Sequence, residues 1–341
     1  MSKLISVIIP CYNVEKFIDR CMSSLINQTI GLHCLEVIVV NDASTDHTLD
    51  KLKEYENSYP EDILIVDLPE NIKQGGARNI GLQYSTTDYI GFVDSDDWIE
   101  PTMYEHLYEK AIKYDCDLVS CKFKRVYEEG SPMGRTGKDD QLYFIETELD
   151  RKRFIIDGLE GGIWCNLYKK SIIIENELLF PERITYEDNL WLPVLLLYVN
   201  RVYILEEYLY HYFVNMQSTI LSKNSFHHLD RLMIELMKLE EYKKREFLEQ
   251  YYREFEYLFL KMYFINTLNI LFTRFDRFPE GIFELMQEGV TKNFSDYENN
   301  PYLECMNNTE LYFLSLVSIK LNLEQIEILG DKYRNETLFT N

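Results

Sequence analysis

The sequence is short of positive charge. It carries 35 Lys and Arg against 57 Asp and Glu, a formal net charge of −22 and a pI near 4.7. Binding to nucleic acid needs Lys and Arg to neutralise phosphates. No basic stripe runs along this chain, so polyanionic partners are excluded. The same sign disfavours an anionic membrane surface. Long hydrophobic runs are also missing. The apolar stretch 4–9 is far too short for a signal-peptide core or a membrane span, and Pro10 stops it. The seven cysteines form no C-x-x-C pair, and Cys11, Cys116, Cys121 and Cys165 lie in apolar or strand-like settings. An odd count without a leader reads as reduced thiols, which predicts a cytoplasmic protein. No internal repeat or low-complexity segment is visible. No G-x-G-x-x-G follows Ile9, which argues against a dinucleotide oxidoreductase.

At 341 residues, with 46% hydrophobic and 27% charged residues, the chain has ordinary globular composition and enough length for two units, or one plus an appendage. Apolar runs at 4–9, 35–40, 63–67 and 89–93 read as strands. Stretches 14–27, 48–55 and the one opening at 74–82 read as helices, with Thr45 or Asp46 capping the second. This alternation predicts an α/β domain around a mostly parallel sheet. From about residue 117 the alternation weakens. A strand is expected at 118–127, a loop or flap at 128–140, a helix from Thr185 through Tyr198 and a strand at 203–212. Beyond residue 222 the spacing is helical throughout. The expected organisation is 1–222, divided into 1–125 and 126–222, followed by an all-helical region at 223–341.

The chain turns on Tyr89-Ile90-Gly91-Phe92-Val93-Asp94-Ser95-Asp96-Asp97-Trp98, where a short apolar strand breaks into three carboxylates. The carboxyl ends of strands in α/β sheets are where ligands bind. Hard carboxylate oxygens there suit Mg²⁺ or Mn²⁺ held against a diphosphate. The plainer alternative is a solvated turn capping a helix that starts near Pro101. A phosphatase with an Asp nucleophile would place its D-x-D after the first strand. A nucleotidyltransferase, the nearest alternative enzyme, would need a Gly-rich basic loop where Pro10-Cys11-Tyr12-Asn13 stands.

Five pieces in order resemble the family-2 glycosyltransferases of the GT-A fold, over about residues 4–220. They are Ser6-Val7-Ile8-Ile9-Pro10-Cys11-Tyr12-Asn13, Val40-Asn41-Asp42-Ala43-Ser44-Thr45-Asp46, Gly76-Ala77-Arg78-Asn79-Ile80-Gly81, Asp94-Ser95-Asp96-Asp97 and Glu187-Asp188. The resemblance implies a metal-dependent, inverting transferase that moves a sugar from a nucleotide donor, a UDP-sugar, to a hydroxyl of a glycan, lipid-linked or protein acceptor. It implies a donor site of Pro10, Tyr12, Asn13, Asp42, Arg78, Asp94 and Ser95, with Asp94 on the ribose, Asp96 on the metal and Asp188 as the base. Tyr12 can stack on a pyrimidine, or be an ordinary turn aromatic. Asp42 can accept the N3–H of uracil, or cap a helix. Arg78 can face phosphate or base, or form a surface salt bridge. Asp188 can take the acceptor proton, or simply place charge at a helix start. Trp98, Trp164 and Trp191 can stack on sugars, or belong to the core. Many relatives carry an Arg after the aromatic strand. Tyr208-Leu209-Tyr210-His211-Tyr212-Phe213-Val214-Asn215 reaches Ser218-Thr219 without one, leaving His211 or Ser218 to hold the diphosphate. The aromatic helices around Tyr251–Phe264 allow a core, a homo-oligomer interface or an acceptor platform. A catalytically dead carbohydrate-binding relative is the non-enzyme alternative.

Overall fold

The computed structural model describes residues 2–127, 134–215 and 221–337. Its contacts divide the chain into Met1–Asn215 and Met216–Asn341, a division a few residues ahead of position 222.

The first unit is built on nine described strands: β1 (Ile5–Cys11), β2 (Leu35–Asn41), β3 (Ile63–Asp67), β4 (Tyr89–Phe92), β5 (Trp98–Ile99), β6 (Leu118–Val126), β7 (Gln141–Phe144), β8 (Asn166–Lys169) and β9 (Arg201–Phe213). Their order is β3-β2-β1-β4-β8-β6-β9-β5, with β7 also on β9. The block β3-β2-β1-β4 is parallel throughout, and β6 pairs β9 in parallel. β8 joins the two by running antiparallel to both β4 and β6. The expected division at 125/126 is not a structural seam, because β6 runs across it within one continuous sheet. All seven residues of β1 are buried, as expected for a parallel strand covered on both faces.

Pro10 in such a strand would normally break a ladder. Here Cys11 carbonyl accepts from Asp42 N–H on the β2 side, while Ile8 carbonyl accepts from Val93 N–H on the β4 side. Alternation therefore turns Pro10 toward β4, whose pairing with β1 ends at Ile8. No bond is lost.

Helices α1 (Ile18–Ile26), α2 (Thr48–Ser58) and α3 (Lys73–Tyr84) connect the parallel strands. α1 buries Ile18, Cys21, Met22 and Leu25, the stripe that a 3.6-residue period produces. It starts later than residue 14 because residues 14–17 form a separate turn closed by Phe17 and Ile18 N–H on Val14 carbonyl. At α2, Asp46 supplies the cap, since its Oδ1 accepts from Thr48 N–H at 3.0 Å. α4 (Met103–Tyr114) follows β5. Its capping position is Thr102, whose side chain makes no capping bond, and Gln28 Oε1 accepts from Tyr104 N–H at 3.1 Å instead, so the acidic turn does not cap it. α5 (Glu148–Asp157) begins with a Thr147/Asp150 capping box, and α6 (Lys170–Glu175) follows β8. α7 (Asp188–Leu195) ends three residues before Tyr198. Buried Arg151 donates to the carbonyls of Leu196 and Val199 beyond it, satisfying groups that a longer helix would have bonded itself.

The second unit is helical: α8 (Asp230–Lys244), α9 (Tyr252–Phe259), α10 (Thr267–Arg274), α11 (Ile282–Asn293), α12 (Asn308–Ser315) and α13 (Leu323–Thr337). A π-helical stretch, Leu260–Asn266, lies between α9 and α10. Tyr251, Phe255, Tyr257, Phe259, Tyr263 and Phe264 are buried in this unit, and Tyr252 is partly buried against Phe294, with centroids 5.4 Å apart. These rings are core, so they offer no exposed aromatic patch for an oligomer or an acceptor. Stacks such as Tyr242 on Phe255, with centroids 3.8 Å apart, each add about 0.5–1.5 kcal/mol beyond area burial. Among the described residues, no helix is long and apolar enough to cross a membrane. All seven cysteines are unpaired.

Candidate active site

The acidic turn begins where β4 ends. Val93 N–H makes the last bond to Ile8 carbonyl, and Asp97 N–H then closes a turn on Asp94 carbonyl at 3.0 Å. The three carboxylates leave this turn in three directions. Asp94 Oδ1 accepts from Arg78 Nη2 at 2.8 Å. Asp97 is 1% exposed, and its oxygens accept from Tyr210 hydroxyl and Phe213 N–H, each at 2.7 Å. Asp96 has no side-chain partner among the described residues, while its carbonyl accepts from Arg20 Nη2 at 2.9 Å. Burial and then the Asp94 charge push the Asp96 carboxyl up to about 6. Burial first, then Asp96 and Asp94, hold Asp97 well above the usual carboxylate range, with Phe213 N–H and Tyr210 opposing.

Arg78 is 3% exposed, with one terminal nitrogen on Asp94 and the other on Glu187. Its expected role on phosphate or base is therefore corrected. Both terminal nitrogens are committed, and Arg78 is a strut joining α3, the acidic turn and the start of α7. The plainer reading fails too, because the pair is buried. The glycines before and after it allow this closeness. A Cβ at Gly75 would lie 2.2 Å from Pro181 carbonyl oxygen, and one at Gly81 would lie 2.3 Å from Ile8 Cγ2. α3 can approach the sheet and the 181 loop only with hydrogen at those positions.

The strut brings Asp188, first residue of α7, into the same electrostatic neighbourhood. Burial, then Glu187 and more weakly Asp94, raise its carboxyl to about 6, while Arg78 pulls the other way. A carboxylate with that pKa is neutral often enough to hold a proton and ionised often enough at pH 7 to accept one.

The loops after β1 and β2 are clamped together. Asn13, at φ +53°, donates its N–H to Ser44 Oγ at 3.0 Å and accepts from Thr45 N–H at 2.8 Å. Its side-chain oxygen thus fixes the loop, while the amide nitrogen keeps its donors on an exposed residue. Tyr12 beside it is 49% exposed, an open ring. Asp42 is 2% exposed, and its Oδ1 accepts from Ile72 N–H at 2.7 Å just before α3. Capping is therefore part of its role, at α3 rather than α2. Burial raises its pKa against those backbone donors. Ser95 is buried beside the Cys11 thiol.

None of the three tryptophans presents a free face. Trp191 is 1% exposed and stacks on Phe180 at 4.4 Å. Trp164 stacks on Tyr210 at 4.3 Å. Trp98 has His211 at 4.6 Å and the Arg20 guanidinium at 3.7 Å. His211 is itself buried, bonded through Nε2 to Glu100 at 2.8 Å, so it is not placed to hold a diphosphate. Ser218 and Thr219 lie outside the described residues, as does part of the expected flap at 128–140.

Sequence reasoning gave no role to Tyr210 or Arg20, and took Glu187 only as part of the Glu187-Asp188 pair at a helix start. Tyr210 hydroxyl accepts from Asp94 N–H at 3.1 Å and donates to Asp97, spanning the acidic turn. Its only sequence signal was membership of an aromatic strand. Glu187 was visible beside Asp188, but nothing local named Arg78 as its partner.

A divalent ion fits one way here. Among the described residues, no three His, Cys, Asp or Glu cluster to enclose a metal. Asp96, aided by the remaining Asp94 oxygen, offers one or two hard ligands at an open edge. Mg²⁺ typically binds through that few carboxylates and completes its shell with substrate phosphate and water.

The model of the family described as Glycosyl transferase family 2 matches residues 6–175, half of the chain. The uncharacterized glycosyltransferase YibD of Escherichia coli is 31% identical over 218 residues, which cover 63% of this chain and 62% of YibD. The poly(ribitol-phosphate) beta-N-acetylglucosaminyltransferase TarS of Staphylococcus aureus is 28% identical over 256 residues, 72% of this chain and 43% of TarS. The chain thus spans about three-fifths of the first of these relatives and less of the second. The crystal structure of S. aureus TarS 1–349 in complex with UDP superposes with a TM-score of 0.65 at 20% identity, covering 98% of this chain and 92% of that one, which shows the shared fold. With its mixed, mostly parallel sheet and helical C-terminal region, the chain belongs to the family-2 glycosyltransferases of the GT-A fold.

Proposed function

We propose that the protein transfers a sugar from a UDP-sugar to a hydroxyl of a bacterial surface glycan, with inversion and with Mn²⁺ or Mg²⁺. The observation that carries this is the Arg78 bridge. It gathers the acidic turn after β4 and the Glu187-Asp188 pair into one site, although Arg78 and Glu187 are 109 positions apart. The named activity of TarS and the UDP in its crystal structure support the donor class. The unpaired thiols support a cytoplasmic setting.

In this reading Tyr12 stacks on the uracil, and Asp42 accepts N3–H through an oxygen lone pair that the backbone donors leave open. Asp94, oriented by Arg78, receives the ribose hydroxyls. Asp96, with Asp94 beside it, holds the divalent ion, which supplies positive charge to the leaving diphosphate. Asp188 takes the acceptor hydroxyl's proton as that oxygen bonds to the anomeric carbon and the diphosphate oxygen departs. One displacement from the opposite face inverts the configuration. Both carboxylates must be ionised, and a pKa of about 6 for each leaves them mostly so at pH 7.

Calorimetry with UDP and Mn²⁺ tests the site. Binding should be tight enough to measure in the native chain and strongly weakened in Asp96→Ala. Equal affinity in the two proteins would remove Asp96 from the metal.

A further inference from the structure

The second unit contains a polar cleft of about 560 Å³, inside the range of about 300–1,000 Å³ typical of small-molecule sites. It lies between the π-helical stretch with α10 on one side and the start of α12 on the other. Its lining is rich in carboxamides, and the bonding of these groups is the informative part. Asn307 and Glu310 are engaged in a capping box at α12, which explains their presence without a ligand. Asn269 and Asn308 have no such duty, and their side-chain amides have no partner among the described residues. Asn266 donates to Met262 sulfur at 3.0 Å, a weak acceptor, and keeps its oxygen open. The π-helical turn carries Asn266 at its last position, and such turns mark functional sites often. Phe313, 2% exposed, and the partly buried Tyr333 pack on each other with centroids 5.0 Å apart and close the floor of the cleft.

Carboxamides that both donate and accept, set side by side, match the neighbouring hydroxyls of a sugar ring. Charge narrows the class. Glu310 is the charged lining residue, Lys261 pairs with it at 3.5 Å, and the chain carries −22 overall. An anionic ligand would meet net repulsion there. We infer that this cleft is a binding subsite for a neutral saccharide of two to three rings. Its use as an acceptor-holding subsite rests on the glycan-transfer reading above, whereas the binding itself does not.

Saturation-transfer NMR on the full chain, with N,N′-diacetylchitobiose and cellobiose as probes, tests it without any nucleotide. Transfer to at least one disaccharide is expected. Asn269→Leu and Asn308→Ala should each weaken that binding by about five- to tenfold, the usual worth of one hydrogen-bonding group. Far-UV circular dichroism checks that each variant is folded, and both positions flank the cleft on separate helices, so one variant can stand in for the other. Asp96→Ala should leave the disaccharide signal unchanged while losing Mn²⁺-dependent UDP binding, which separates failure of this site from failure of the donor site. Absence of transfer to both disaccharides would overturn the proposal. So would a signal that survives both substitutions, or displacement by inorganic phosphate.

Discussion

Replacing Tyr210 by Phe is the most informative single change, because it removes one oxygen and leaves the ring stacked on Trp164. That oxygen has two bonds, and they are not equally costly to lose. Asp94 N–H is a neutral donor, whose loss of one acceptor costs less than stripping a buried carboxyl. Asp97 is 1% exposed, which leaves Oδ2 without water and the carboxyl with Phe213 N–H alone. A buried polar group stripped of a partner costs about 1–3 kcal/mol. For a unit of this size that lowers the melting temperature by roughly 2–4 °C per kcal/mol. The functional effect should exceed what destabilisation alone produces. Without the tie between Asp94 N–H and Asp97, the turn keeps only its own Asp97 N–H bond, the Arg20 contact and Phe213 N–H, so the Asp96 carboxylate is less firmly aimed. A loss of about 1.4 kcal/mol in the orientation of its carboxylate is roughly tenfold in affinity. Thermal melts and calorimetric titration of UDP at fixed Mn²⁺, both on Tyr210→Phe, measure the two terms. A lowered melting temperature with unchanged UDP affinity would show that the hydroxyl supports the fold and not the site. No change in either would refute the bracing argument entirely.

Asp188→Asn should leave UDP binding nearly intact while turnover falls by about 10²–10⁴, the usual worth of a positioned base. Turnover of the native protein should rise with pH through about 6 and then level, since Asp188 acts only when ionised; a limb near 4 would remove the assignment. Because the folded pKa values of Asp96 and Asp188 lie above the ordinary carboxylate value of about 4, these groups favour folding when protonated. Their contribution is lost as pH rises from about 4 through about 6, and melts across that window in metal-free buffer should show the decline. Arg78→Gln should destabilise by about 3–5 kcal/mol, as removing one partner of a buried ion pair does. It should also move the turnover limb upward, because Arg78 is the charge that lowers the Asp188 pKa; an unmoved limb would separate the two residues. For the donor base, UDP should bind more tightly than TDP and TDP more tightly than GDP. The missing 2′-hydroxyl costs TDP about 1–3 kcal/mol if Asp94 holds the ribose, and guanine is the larger ring system. GDP above UDP in calorimetry would sink the Tyr12 and Asp42 assignments, and TDP equal to UDP only the ribose contact.

Where information is local, the sequence alone was sufficient. Apolar runs of five or six residues ending in polar turns located β1 to β4, because burial on both faces of β1, β2 and β4 imposes that pattern on consecutive residues, while edge strand β3 is only partly buried. The same logic placed Asp94 and Asp96 at a strand end and Tyr12 on an exposed loop. The helical spacing after residue 222 identified the second unit's class. What the sequence left open depended on partners distant along the chain. Arg78 looked like a phosphate ligand until Glu187 and Asp94 occupied both its nitrogens. Asp42 had backbone donors from α3, 30 positions on. Tyr210 and Asp97 are 113 positions apart, and no periodicity links them. The three tryptophans and the aromatic run at 251–264 could have been platforms, and only packing made them walls and core. Burial and pairing are properties of the closed fold. The direction in which a long side chain reaches, and the protonation state it keeps there, was therefore decided by tertiary structure.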